Sequence, residues 1–254
     1  MYQSTTSISR TMQQQAEISD AHCHLNLFEN PEVIVRECAS HGMKAILATG
    51  GSAKDNLMTA SLLKSEIVFG IVGIGPDFAR SDGKSVDGLA DLIKSNKKII
   101  GIGEIGLDFK ITSDPGEIAI QKDVFERQIE IARELEMPIV IHSRNSLEEV
   151  LKILDKHSVK RAMFHFFEGN GDAAREVASR EYIISVPPVE NSKRKEAIKS
   201  VDIRSLVAET DSPVVGKTPM DVMRSLEMIA KLRGIEVSEA AQVTTDRLRE
   251  FFYI

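Results

Sequence analysis

Cysteine is scarce in this sequence, and long apolar runs are absent. Only Cys23 and Cys38 occur among 254 residues, and their spacing forms neither a C-x-x-C pair nor a zinc ribbon. No apolar run approaches the roughly 18 residues that a membrane span needs. The sequence therefore predicts a cytoplasmic protein without membrane contact. Residues 1–16, mostly Ser, Thr and Gln, are predicted to form a flexible tail, and residues 17–254 a single domain.

Excess positive charge and tryptophan are missing as well. The chain has 32 Lys and Arg against 38 Asp and Glu, no Trp and three Tyr, so no basic field or aromatic stripe for long nucleic acids is predicted. The run of Lys193, Arg194 and Lys195 is interpreted as a solvated helix face, and Lys110 and Lys217 as isolated loop charges. Contact with nucleic acid is expected to be local, and no obligate protein partner is indicated.

Eight short apolar segments alternate with segments of helical periodicity, which is clearest over residues 124–135. The predicted strands cover residues 18–24, 45–50, 67–75, 99–104, 139–142, 162–167, 182–187 and 206–211. Eight parallel strands, each followed by a crossover helix within about 250 residues, predict an α/β fold of the (β/α)8 TIM-barrel type. A doubly wound sheet is the alternative, but no G-x-G-x-x-G or Walker loop opens a helix after any strand.

Side chains that can bind metals fall at the ends of these predicted strands, which meet on one rim of a barrel. These residues are His22, His24, Glu104, His142, His165 and Asp211. His22 and His24 share a strand face while Cys23 points away, and Glu209 would share the face of Asp211. Each histidine alone could be an ordinary core residue, but together the six predict a metal site. His41, at a helix end, and His157, in a charged turn, are interpreted as solvated caps outside it.

The same residues lie in five ordered motifs that resemble those of TatD-type metal-dependent hydrolases, within the amidohydrolase superfamily. The motifs are DAHCHL at 20–25, GEIGLD at 103–108, HSR at 142–144, His165 with Gly169, and ETDSP at 209–213. The resemblance runs from about residue 17 to the C-terminus. The ligands it implies are His22, His24 and Asp211 for one ion, His142 and His165 for a second, and Glu104 as the bridge. Family members are described mainly as deoxyribonucleases, and some relatives deacylate D-aminoacyl-tRNA.

Two stretches depart from the family pattern. The family carries a G-x-H-P-H type stretch where this chain has Gly75, Pro76 and Asp77, so both histidines are absent. After Pro213, a short loop replaces a basic R-G-K-x-N-E-P pattern, and within it T-P at 218–219 predicts the N-cap and first turn of a helix. Substrate preference is therefore expected to differ from that of the family.

The predicted function is metal-dependent hydrolysis, with DNA ends or a small phosphodiester as substrate. Two divalent ions, two carboxylates and a bridging hydroxide leave a net charge of about +1, which favours an anionic substrate. The metal-activated hydroxide would attack, with Asp211 as general base. Arg144 is a candidate phosphate clamp, and a structural ion pair is its equal alternative.

Four imidazoles and two carboxylates suit zinc, manganese or iron better than magnesium. Zinc or manganese is therefore expected, with magnesium as a further alternative. Two other functions stay open. The same site could hydrolyse carbon esters or amides, or the chain could be a non-catalytic metal-binding protein, although all six ligands are present.

Overall fold

Eight parallel strands pair in the order in which they follow one another along the chain. The computed structural model describes residues 17–254, and the tail predicted over residues 1–16 lies outside this range. The strands are β1 (Ile18–Cys23), β2 (Met43–Thr49), β3 (Val68–Val72), β4 (Ile99–Asp108), β5 (Ile139–Arg144), β6 (Ala162–Phe164), β7 (Ile183–Val186) and β8 (Leu206–Ala208). A parallel bridge between Cys23 and Ser212 joins β1 to the segment that follows β8, so the first and last strands of the sheet meet. The predicted TIM barrel is thus confirmed, and the doubly wound sheet is wrong.

Ten α-helices surround the strands within the described range. They are α1 (Pro31–Ser40), α2 (Ala53–Leu62), α3 (Ala79–Asp82), α4 (Leu89–Ser95), α5 (Pro115–Glu134), α6 (Leu147–Lys156), α7 (Gly171–Ala178), α8 (Ser192–Ser200), α9 (Val222–Arg233) and α10 (Val237–Phe252). Side chains of Ser52, Asp114, Asn170 and Asn191 cap α2, α5, α7 and α8 by accepting backbone N–H bonds. None of the helices in residues 17–254 is long and apolar enough to cross a membrane.

Alternation along the strands divides the core into two layers. On β2, Ala45 and Leu47 pack inside the barrel, whereas Ile46 and Ala48 pack outwards against the helices. The interior layer includes Leu248, Phe251 and Phe252 of α10, and Phe252 lies against the start of β4. Because α10 covers the amino-terminal end of the barrel, the carboxyl end is left for a site.

Several predicted boundaries differ from the observed ones. β4 continues four residues beyond Glu104 to Asp108, because its last residues pair with β5. β3, β6 and β8 end earlier than predicted, so His165 and Asp211 lie just beyond their strands. The predicted helix start at residues 218–219 is a 3-10 turn, Pro219–Asp221, that leads into α9. The side chain of Thr218 makes no capping hydrogen bond there.

Candidate metal centre

The six residues singled out at the strand ends come together at the carboxyl end of the barrel. His22 is fully buried, and the other five line a cavity of about 490 Å³ above it. They come from β1, β4 and β5 and from the segments that follow β1, β6 and β8, so residues far apart in the chain meet in one cluster. The structure therefore brings together every predicted ligand.

The first group of donor atoms surrounds a point between β1 and β8. His22 Nε2 lies 3.4 Å from His24 Nε2 and 3.7 Å from Asp211 Oδ1, and His24 Nε2 lies 3.3 Å from the same oxygen. Glu104 Oε2 completes the group at 3.6 Å from His22 and 4.0 Å from His24. Four atoms bound at about 2.1 Å to a tetrahedral ion would be about 3.4 Å apart. These donors therefore fit a divalent ion.

The second group shares the carboxylate of Glu104 with the first. Its Oε1 lies 2.5 Å from His142 Nδ1 and 2.7 Å from His165 Nε2, and those two nitrogens are 3.3 Å apart. One oxygen of Glu104 thus faces each group. A carboxylate placed between two groups of donor atoms in this way has the position of a bridging ligand.

Charge in the cluster follows from these contacts. Burial disfavours the charged form of Glu104, but His165 and His142 outweigh it and hold the pKa of this carboxyl well below its usual value. Burial likewise opposes protonation of His24, yet Asp211 and Glu104 raise its pKa to about 9. The carboxyl group of Glu104 is therefore ionised and favours positive charge at the centre of the cluster.

Asp108 is a site residue that sequence reasoning missed. Its Oδ2 lies 2.9 Å from His142 Nε2, while its Oδ1 accepts hydrogen bonds from the backbone N–H groups of Lys110 and Ile111. A carboxylate on the far nitrogen fixes the tautomer and orientation of a ligating imidazole. The sequence carries a signal for it, because Asp108 ends the largely apolar segment that continues after Glu104, but the predicted strand stopped at Glu104.

Asp20, likewise not singled out, joins β1 to the segment after β8. Its fully buried carboxylate accepts hydrogen bonds from the backbone N–H of Thr210 at 2.9 Å, the hydroxyl of Thr210 at 2.5 Å and the N–H of His22 at 3.2 Å. Asp211 follows directly, and its N–H donates to the carbonyl of His22. Asp20 therefore sets the position of Asp211 relative to the histidines of β1.

Glu209 lies behind His165 and does not border the cavity. Its carboxylate accepts hydrogen bonds from Ser185 Oγ and from the backbone N–H of Phe166, and it lies 4.0 Å from His165 Nδ1. Burial raises the pKa of Glu209 to about 7. Glu209 thus supports the loop that carries His165.

A close approach of strands explains one glycine of the GEIGLD motif. Gly106 has φ +142°, and a Cβ added there would overlap the carbonyl oxygen of His142. Only glycine fits this backbone conformation and this contact. Gly106 therefore allows β4 to bring Glu104 and Asp108 against His142.

Among the basic residues, Arg144 lines the cavity, and no carboxylate of residues 17–254 forms an ion pair with it. The ion-pair alternative is thus unsupported. Interpreting residues 193–195 as a solvated face is wrong for Arg194, which is only 3% exposed. Its guanidinium donates to the carbonyls of Val189 and Phe167 and packs over the ring of Phe166, which the sequence pattern of α8 does not reveal.

The two histidines left out of the site lie away from it. His41 caps the exposed end of α1, as predicted. His157 is the C-cap of α6, as predicted, but its side chain is not solvated, because its two ring nitrogens contact Glu130 and Glu126 at 2.7 and 3.0 Å. It therefore ties α6 to α5.

An eight-stranded parallel barrel that gathers imidazoles and carboxylates at its carboxyl end has the architecture of a metal-dependent hydrolase. A family model described as TatD related DNase matches residues 19–253, so the chain belongs to the TatD family. It is 30% identical to an uncharacterized metal-dependent hydrolase of Methanocaldococcus jannaschii, over 92% of this chain and 96% of the relative. It is 27% identical to deoxyribonuclease TATDN3 of Homo sapiens, over 92% and 93% of the two chains. The crystal structure of YJJV, a TatD homolog from Escherichia coli, matches with a TM-score of 0.85 at 22% identity, covering 93% of this chain and 98% of its own. The protein is a TatD-type metal-dependent hydrolase.

Proposed function

We propose that this hydrolase is a deoxyribonuclease that cleaves phosphodiester bonds at DNA ends and binds two divalent ions through the six clustered residues. The observation that carries the proposal is the double donor cluster on the floor of a single cavity, with Glu104 between its halves. Human TATDN3 is named a deoxyribonuclease, which supports this substrate class. In this assignment His22, His24 and Asp211 hold one ion, His142 and His165 the other, and Glu104 bridges them.

Charge around the cavity favours a short substrate. Besides the cluster, the cavity wall carries the carboxylates of Asp55, Asp77 and Glu168 and the guanidinium of Arg144. These outer carboxylates repel phosphates that neighbour the scissile one. A terminal phosphodiester is therefore favoured over a long strand lying across the mouth.

Individual residues can be given roles from these positions. Divalent ions, when bound, supply Lewis acidity and lower the pKa of water, and the imidazole-rich donor set favours zinc or manganese over magnesium. Asp211 borders the cavity, so its carboxylate can accept a proton from the attacking water. Arg144 donates hydrogen bonds to a non-bridging phosphoryl oxygen. Asp108 holds the ring of His142 in place.

Linear and circular single-stranded DNA of the same sequence provide the direct test. Protein reconstituted with zinc or manganese is expected to shorten the linear strand and to leave the covalently closed circle intact. Chelation, or His142→Ala, should abolish cleavage. Equal cleavage of the circle would refute end-directed action. A panel in which only carbon esters or amides are hydrolysed would assign the protein to the alternative function.

A further inference from the structure

Three exposed apolar side chains border the cavity of the candidate metal centre. Leu27, Phe78 and Val214 are 53%, 40% and 65% exposed, and all three line this cavity. Single exposed apolar residues are ordinary on a surface, but a group around a functional cavity marks a binding surface. We call these three residues the apolar arc.

The apolar arc occupies one side of the cavity mouth. Leu27 follows β1, Phe78 follows β3, and Val214 follows β8, which neighbours β1 through the bridge between Cys23 and Ser212. Arg144 ends β5 and Glu168 follows β6, and in the strand order these two strands lie across the barrel from β1 and β2. The cavity therefore offers an apolar surface and a cationic side chain to two different ends of one substrate.

Backbone hydrogen bonds order the three loops that carry the apolar arc, and two of these loops also carry His24 and Asp211. Leu27 N–H donates to the carbonyl of His24 at 3.0 Å, and Val215 N–H donates to that of Asp211 at 2.8 Å. Phe78 N–H donates to the carbonyl of Gly75 at 3.0 Å. The three side chains are thus held at the cavity by ordered loops, and their exposure is a feature of the folded structure.

We propose that the apolar arc is a subsite for the nucleobase of a terminal nucleotide, with the ring of Phe78 stacking on the base. This inference rests on the proposed function, because the phosphate of the same nucleotide would face Arg144 and the cluster. An aromatic ring beside an anion site suits a nucleotide better than an alkyl chain, and a cavity of about 490 Å³ has the size of a site for one small molecule. Stacking does not distinguish the bases, so no base preference is expected.

Calorimetric binding to the zinc-reconstituted protein tests the subsite without requiring turnover. Thymidine 5′-monophosphate and 2-deoxyribose 5-phosphate share the sugar and phosphate and differ only in the base. We expect the nucleotide to bind about tenfold tighter than the sugar phosphate. Phe78→Ala should remove most of this advantage while changing the affinity for the sugar phosphate less than twofold.

Two further variants control for fold and for general hydrophobicity. Val33→Ala removes an apolar side chain that is 50% exposed on α1, outside the cavity, and should change neither affinity. Phe78→Leu keeps an apolar residue without the ring, and it should lose most of the base advantage if stacking is the cause. A thermal unfolding midpoint equal to that of the wild type shows that each variant is folded.

Equal wild-type affinities for the two ligands would overturn the subsite, as would Phe78→Ala weakening both ligands alike. If Phe78→Ala instead raised KM for p-nitrophenyl hexanoate and spared nucleotide binding, the arc would be an acyl subsite and the proposal would be wrong. A protein that binds the nucleotide through Phe78 but cleaves no phosphodiester would support the subsite and refute the proposed deoxyribonuclease activity. The two failures are therefore distinguishable.

Discussion

Replacing Asp108 by Asn tests whether this carboxylate orients His142, one of the proposed metal ligands. The carboxylate of Asp108 accepts through Oδ1 from two backbone N–H groups and faces His142 Nε2 through Oδ2. An asparagine keeps both backbone bonds only if its amide nitrogen faces the imidazole. Nε2 must then accept a hydrogen bond, which places the ring proton on Nδ1, the nitrogen that faces Glu104.

The expected magnitude follows from this change of tautomer. Loss of the partner that orients a ligating histidine lowers metal affinity by about 10- to 100-fold, or about 1.4–2.7 kcal/mol. Only the ion assigned to His142 and His165 should be affected, because Asp108 does not contact His22 or His24. Stability of the metal-free fold should stay near that of the wild type, since the backbone bonds are retained.

Competition between the protein and a chromophoric chelator for zinc measures both binding steps. The matched control is Asp114→Asn, because Asp114 caps α5 and asparagine caps a helix equally well. The affinity for the ion assigned to His142 and His165 should fall by at least tenfold in Asp108→Asn. In the control it should change by less than twofold. Unchanged affinity at both steps would show that His142 is not a ligand through Nδ1 or that Asp108 does not orient it.

The remaining predictions concern the bridging carboxylate, the general base, the contact between β4 and β5, and the salt dependence of DNA binding. Glu104→Gln should weaken the second ion most, and elemental analysis that finds both ions held with unchanged affinity would disprove the bridge. Asp211→Asn should retain weak substrate binding but lose about 10²- to 10⁴-fold in kcat, and a kcat within tenfold of wild type would remove it as general base. Gly106→Ala should lower the free energy of unfolding by about 1–3 kcal/mol in a urea titration, whereas Gly88→Ala, with no neighbour near its Cβ, should change it little. Binding of single-stranded DNA ends should show a log K against log salt slope of magnitude about 1 to 3, and the steep slope of an extended DNA-binding surface would contradict a narrow site.

Much of the fold and the centre of the site follows from local sequence. Short apolar runs separated by helix-length crossovers leave few architectures, and residues at strand ends must meet on one rim because all strands are parallel. His22 and His24 share a face because side chains alternate along any strand. For these reasons the barrel could be predicted without coordinates, and six residues could be selected whose donor atoms prove to converge.

Other features depend on contacts that no local pattern records. Asp20 and Thr210, 190 residues apart, are joined only when β8 closes against β1. Arg194 was misinterpreted because burial under Phe166 comes from a neighbouring loop, and Asp108 was missed because pairing with β5 extends its strand. The apolar arc is the clearest case. Leu27, Phe78 and Val214 belong to three separate loops, each an unremarkable apolar residue in the sequence, and closure of the barrel alone places them around one cavity.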